Sequence, residues 1–201
     1  MIKRLFDIFF SIVGLLFLLA LFIIISVLIL FDSKGGIFYQ QTSVGLNSSD
    51  FKLLKFRTMK TDADKKGLLT VGGRDVRITR IGYYLRKYKL DELPQLINVF
   101  FGDMSFVGPR PEVRKYVDLY TKEQQHVLSV KPGITDYASI EFSNENELLG
   151  KSENPEELYI KKIMPNKLAL NLKYINERSL IVDMKLILLT LKKIISLTFL
   201  S

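Results

Sequence analysis

The chain of 201 residues has no cysteine and a single histidine, His126. The missing cysteines exclude structural disulfides, thiolate zinc sites and a cysteine nucleophile, and they suit a reducing compartment. With one histidine there can be no histidine-rich metal cluster, and His126 is the sole partner available to a Ser-His-Asp arrangement. No Gly-x-Ser-x-Gly elbow accompanies it, so it reads as a helix-surface residue. Internal repeats, heptad arrays and low-complexity segments are also absent. The length allows one sizeable globular domain, or a smaller one with a membrane element, and falls short of two full domains.

What the chain does have is a long apolar run, Leu5 to Phe31, interrupted only by Asp7, Ser11, Gly14 and Ser26. It exceeds the roughly 20 residues a helix needs to cross a bilayer and predicts a membrane segment over residues 1–33. The competing reading, a cleaved signal peptide, fits less well: a signal core is ~7–15 residues and ends on a small-x-small site. Lys3 and Arg4 precede the run and Lys34 with a basic domain follows it. A simple crossing would leave positive charge on both sides, against the positive-inside rule, whereas a helix that bends and returns keeps both ends on one side. Asp7 is expected at headgroup depth beside Arg4. The 29 Lys+Arg against 21 Asp+Glu give a net charge of +8, which favours anionic partners without choosing among phospholipid, nucleotide and nucleic acid.

After the turn signal "DSKGG", the stretches "IFYQQ" and "FKLLKFRTM" read as short strands. Lys60 to Arg74 is polar and glycine-dotted, a mobile loop near the site or the membrane surface. Ile81, Leu85 and Tyr88, with Tyr84 beside them, recur at helical spacing over Ile78–Lys89. A helix follows from Leu90 to Gly102, where glycine suits a C-terminal stop. "VGPRP" enforces a stiff extended loop before a helix over Glu112–Val127. "KPGITDYASIEF" opens as a Pro-Gly turn and ends as a strand; Glu141–Glu157 reads as an exposed loop; a helix over Glu156–Asn176 is interrupted near Pro165. Leu180–Leu200 carries Asp183, Lys185, Lys192 and Lys193 on an apolar background, the pattern of a helix lying in an interface or packed on the domain.

"KLDELPQL" sets Asp91 and Glu92 side by side before Pro94. Helix capping alone accounts for an acid pair there. Arg86 one turn before and Arg110 between two prolines shortly after point elsewhere, because adjacent carboxylates resist joint ionisation unless cations offset them. A carboxylate pair with arginines and a divalent metal describes a phosphate site. Consecutive helical residues point about 100° apart, so one acid faces a reacting phosphorus while the other holds Mg²⁺. Arg57, Arg86 and Arg110 are the candidates for masking phosphate charge, each with the alternative of a solvated cation facing anionic lipid.

The run "LDELPQLINVFFGDMSFVGPRP", with "KRLFD", "FKLLKFRTM" and "KPGIT" in order, resembles the bacterial sugar transferases of the small monotopic polyprenyl-phosphate phosphoglycosyltransferase family. The resemblance covers the chain to about Thr135. It implies transfer of a sugar 1-phosphate from a UDP-sugar to polyprenyl phosphate, normally undecaprenyl phosphate, with release of UMP. It implies Asp91 as nucleophile of a phospho-aspartate intermediate, Glu92 as Mg²⁺ ligand, Arg57, Arg86 and Arg110 as phosphate-binding residues, and Gln95 within the dyad motif. Two features depart from the family: Leu18–Leu21 lacks the usual Ser-Pro break, so a hairpin would rely on Gly14, Ser26 and packing, and "DYASIEFSNEN" replaces the usual continuation after "PGIT".

The expected architecture is α+β with helices dominating: a membrane-embedded helix over 1–33, then a catalytic domain over 34–201 with a small sheet and amphipathic helices resting on a bilayer. The expected location is the cytosolic face of a bacterial cytoplasmic membrane, with the two substrates and the bilayer as partners, no nucleic acid, and a homodimer left open. A reading from another class is a membrane-anchored scaffold binding anionic lipid or nucleic acid without turnover. Tyr83, Tyr84 and Tyr88 in "RIGYYLRKYK" fit packing better than base stacking.

Overall fold

The computed structural model describes residues 1–61, 63 and 75–199, with side chains through Ser196. Most of the loop expected over Lys60–Arg74 lies outside the described residues. Helices dominate an α+β fold that carries two small sheets.

The apolar run forms two helices, α1 (Ile2–Phe17) and α2 (Leu19–Asp32), which meet at Leu18 with a bend of 61°. No single helix among the described residues is long and apolar enough to cross a membrane; the bent pair passes that test only together. The break forms without proline. Ser26 donates its hydroxyl hydrogen bond to Phe22 O and Ser11 to Ile8 O, and a side chain at Gly14 would press on Leu96 of the following domain. Helix α1 is inverted relative to a helix of a water-soluble core: Asp7 and Ser11 are its buried residues, while Leu5, Phe9, Leu16 and Phe17 are exposed.

The "KRLFD" residues explain the inversion. Asp7 accepts hydrogen bonds from Ser105 Oγ and Phe106 N, both 3.1 Å. Arg4 donates to Val99 O at 2.6 Å and Phe100 O at 2.7 Å. Lys3 pairs with Asp183, which also accepts from Tyr174 Oη at 2.7 Å. Asp7 is buried and fastens α1 to the domain, because a carboxylate that accepts from one O–H and one N–H donor tolerates burial.

Strands β1 (Phe38–Val44) and β2 (Asp50–Phe56) form an antiparallel hairpin, with Phe38 opposite Phe56. Helix α3 (Arg80–Lys87) is capped by Thr79, whose side chain accepts from Gly82 N. It buries Leu85, leaves Ile81 partly buried and exposes Tyr83 and Tyr84. The helix expected from Leu90 is split into a 3₁₀ turn, Leu90–Glu92, and α4 (Gln95–Phe101), which ends at Gly102 with φ 95°. Left-handed backbone there favours glycine, as expected. Strand β3 (Ser105–Val107) pairs in parallel with β4 (Gly133–Thr135).

Three expectations fail here. Glu112–Val127 is not one helix but a single turn, α5 (Arg114–Val117), and a 3₁₀ stretch, Gln124–Ser129. In "KPGITDYASIEF" the strand is "GIT", and Tyr137–Glu141 forms α6, capped by Asp136. The acidic stretch contains α7 (Glu145–Gly150), ordered by the burial of Leu149 in the main core. Helix α8 (Pro155–Leu158) runs through a π-type turn, Tyr159–Ile163, into α9 (Met164–Glu177). The interruption thus precedes Pro165, which stands in the first turn of α9 where no N–H is needed. Helix α10 (Leu180–Phe199) packs on β3 and α6 through Leu186 and Ile187, with Leu188, Leu191 and Ile195 exposed.

Candidate active site

Asp91 owes its position to leucines. In a 3₁₀ turn residues three apart eclipse, so Leu90 and Leu93 share one side, where they pack on the cluster of Ile25, Ile29, Phe56 and Leu85. Lys89 just before them adopts a left-handed conformation, φ 57°, which turns the chain sharply out of α3. Asp91 and Glu92 are left on the remaining faces. Capping is excluded as the explanation of the acid pair: neither side chain caps the 3₁₀ turn, and the residue before α4 is Pro94.

The two carboxylates differ in their partners. Asp91 is 7 % exposed and its Oδ1 has no hydrogen-bond partner among the described residues. Burial, followed by the Glu92 charge, raises its pKa above the ordinary 3.8, against the pull of Lys55, Arg86 and Lys89. Glu92 receives both arms of the Arg110 guanidinium, Nη1 to Oε2 at 3.1 Å and Nη2 to Oε1. Although burial opposes ionisation, the Arg110 charge and hydrogen bonds hold Glu92 well below the usual carboxylate range.

Arg110 is fixed through its backbone. Its N–H donates to Asp136 Oδ2 at 3.1 Å, and Asp136, fully buried, also accepts from Ser139 N. The loop "GPRP" lies against β4, where Gly133 N donates to Pro109 O. A Cβ on Gly133 would come within 2.1 Å of Gly108 N, so only glycine permits this approach.

Asp91, Glu92, Arg86 and Arg110 are brought together around one cavity. Arg57 lines the adjoining cavity, but its guanidinium donates to the carbonyls of Ser33 (2.7 Å), Ile29 (3.4 Å) and Lys34. It therefore closes the C-terminal end of α2, whose carbonyls lack helical partners. Gln95 is buried in the first turn of α4 and lines neither cavity. Lys55 escaped the sequence reading: it lines both cavities, burial lowers its pKa from 10.5 against the Glu92 charge, and Asp91 feels it as a cation. The signal was available, since the strand period of two puts Lys55 on the face that carries Arg57. Asn98 holds that strand by accepting from Leu54 N and donating to Lys52 O. Asp136 carried no signal, because its partner is a distant backbone N–H.

Two cavities meet at this cluster. One, about 580 Å³, is lined by β1, β2 and the polar groups Glu112, Tyr159 and Asn171. The other, about 460 Å³, is lined by leucine, isoleucine and phenylalanine side chains together with the charged cluster, Lys89 and Lys193. Among the described residues no three metal-ligating side chains cluster. Both Glu92 oxygens accept from Arg110 but each keeps a lone pair, so that carboxylate can also serve a hard cation such as Mg²⁺, which is held by one or two carboxylates and takes its other ligands from phosphate and water.

A buried acid with one unpartnered oxygen, next to an acid paired with arginine and flanked by cations where two cavities meet, is an arrangement chemically suited to phosphoryl transfer. Residues 1–197 match the family model for bacterial sugar transferases, and the chain belongs to that family. It is 36% identical over 201 residues to the uncharacterized sugar transferase EpsL of Bacillus subtilis (strain 168), covering 96% of this chain and 87% of the relative. It is 38% identical over 144 residues to the UDP-N-acetylgalactosamine-undecaprenyl-phosphate N-acetylgalactosaminephosphotransferase of Aeromonas hydrophila, covering 69% of this chain and 34% of the relative. To the UDP-glucose:undecaprenyl-phosphate glucose-1-phosphate transferase of Xanthomonas campestris pv. campestris it is 36% identical over 197 residues, covering 96% and 38%. The chain thus spans most of the first relative and about a third of the two longer ones.

Proposed function

We propose that this protein transfers a sugar 1-phosphate from a UDP-sugar to undecaprenyl phosphate and releases UMP. The single observation that carries the mechanism is the Asp91 Oδ1 atom, buried and without a partner among the described residues, on a side chain that lines both cavities beside Lys55, Arg86 and Arg110. In the first step Asp91 forms a bond to the sugar-bearing phosphorus as the bond to UMP breaks. In the second, an oxygen of the lipid phosphate forms a bond to that phosphorus, the aspartyl bond breaks, and the carboxylate is regenerated. Lys55, Arg86 and Lys89 oppose the burial that favours the protonated form of Asp91, and together with Arg110 they supply positive charge that masks the phosphates. Glu92 would hold Mg²⁺, which when bound neutralises diphosphate charge.

The inverted α1, with α2 and the exposed side of α10, supports a monotopic seat in a bacterial cytoplasmic membrane, the domain facing the cytosol. Exposed apolar area of this extent suits lipid better than water. There the water-soluble donor and the lipid acceptor meet at headgroup depth. Purified protein given UDP-sugar without lipid should release UMP, and Asp91→Asn should abolish that release with the fold retained. Unimpaired release by that variant would remove Asp91 from the nucleophile's role.

A further inference from the structure

The apolar cavity lies between the dyad and the C-terminal helix. One wall is Leu93, Leu96 and Phe106, and the opposite wall is Ile187, Leu191 and Ile194 of α10. Where it meets the neighbouring cavity it holds Asp91, Arg86 and Arg110, and Lys89 and Lys193 also line it. It reaches the surface at Leu191, which is 52 % exposed, and it adjoins α1, since Gly14 packs against Leu96. An apolar channel that opens between two apolar surfaces and ends on cations beside the reacting carboxylate has the polarity of one ligand class, a phosphate monoester of a long hydrocarbon. The neighbouring cavity shares the cationic cluster but is lined further by Gln41, Glu112, Asn171 and four tyrosines, a polar lining that suits a nucleotide sugar.

We infer that the groove between α10 and the dyad seats the first isoprenoid units of the polyprenyl phosphate, with Lys193 and Lys89 guiding its phosphate toward Asp91. The inference rests on the proposed transfer reaction for the identity of the lipid and assigns its place. Helix α10 then serves two purposes. Its exposed Leu188 and Ile195 face outward, while Ile187 and Leu191 form a wall of the substrate channel. Thr190 hydrogen-bonds Thr135, the last residue of β4, and so fixes the distance between that wall and the site.

The test is equilibrium binding to the full chain in detergent, with farnesyl phosphate and inorganic phosphate as probes. Wild-type protein should bind farnesyl phosphate more tightly than inorganic phosphate. Leu191→Gln, at a half-exposed position, should weaken farnesyl phosphate by about tenfold or more, the loss of a leucine-sized apolar contact, and leave inorganic phosphate unchanged. Lys193→Glu should weaken both. Equal affinity of wild type for the two probes, or an unaltered farnesyl phosphate affinity in Leu191→Gln, would overturn the assignment. UMP release by wild-type protein without lipid reports on the transfer chemistry separately, so failure of the chemistry is distinguished from failure of the groove.

Discussion

Replacing Glu92 by glutamine perturbs two quantities in directions the structure fixes. Removing one partner of a buried charge pair costs ~3–5 kcal/mol. Here the Glu92 and Arg110 side chains are 15% and 29% exposed, and an amide oxygen still accepts one of the two guanidinium hydrogen bonds. The expected loss is therefore about 2 kcal/mol of stability. Glu92 is held below its ordinary 4.5 in the fold, so just under that pH the native state binds fewer protons than the unfolded chain. The pair's contribution is full above the unfolded value and fades as pH falls through the folded one; Glu92→Gln should remove that acid dependence. Asp91, relieved of an adjacent negative charge, should titrate closer to 3.8 than in wild type. Lys55→Met should move it the other way, because Lys55 favours the charged carboxylate. Carboxyl-carbon NMR of labelled aspartate, with unfolding monitored in parallel, reads both effects. An upward shift of Asp91 in Glu92→Gln, or shifts of the same sign in the two variants, would refute the electrostatic reasoning.

Lys55→Met should also lower kcat/KM at neutral pH and move the acid limb of its pH profile upward, since more of Asp91 is then protonated. Arg57→Met should cost about 2–4 kcal/mol by leaving the carbonyls at the end of α2 without donors. Lysine, a compact point charge, should not restore it in thermal unfolding. Asp7→Ala strands Ser105 Oγ and Phe106 N, and should cost roughly 2–4 kcal/mol and raise proteolysis between α1 and the domain.

The parts of the fold readable from sequence were those written in local chemistry. The apolar run, the β1–β2 alternation, the stop at Gly102 and the acid pair each follow from spacing within a few residues. The bend between α1 and α2 was legible only as flanking charge, because no proline marks it and tertiary packing at Gly14 stands in its place. Arg57 was readable as a cation near the site, but its partners are carbonyls about twenty-five residues upstream, which no local pattern reveals. The segment after Gly133 was misjudged because strand and helix meet at Asp136, whose carboxylate both caps α6 and holds the Arg110 backbone. Short apolar stretches such as "YASIEF" carry no period long enough to separate helix from strand.

The proposed mechanism requires that the Asp91 side chain itself become phosphorylated by the donor. Protein incubated with UDP-sugar and no lipid, quenched rapidly and measured by intact-mass and peptide mass spectrometry, should carry one sugar-phosphate group on the peptide containing Asp91. Active protein that transfers sugar phosphate to lipid, yet never carries that added mass at any time before the lipid is supplied, would contradict it.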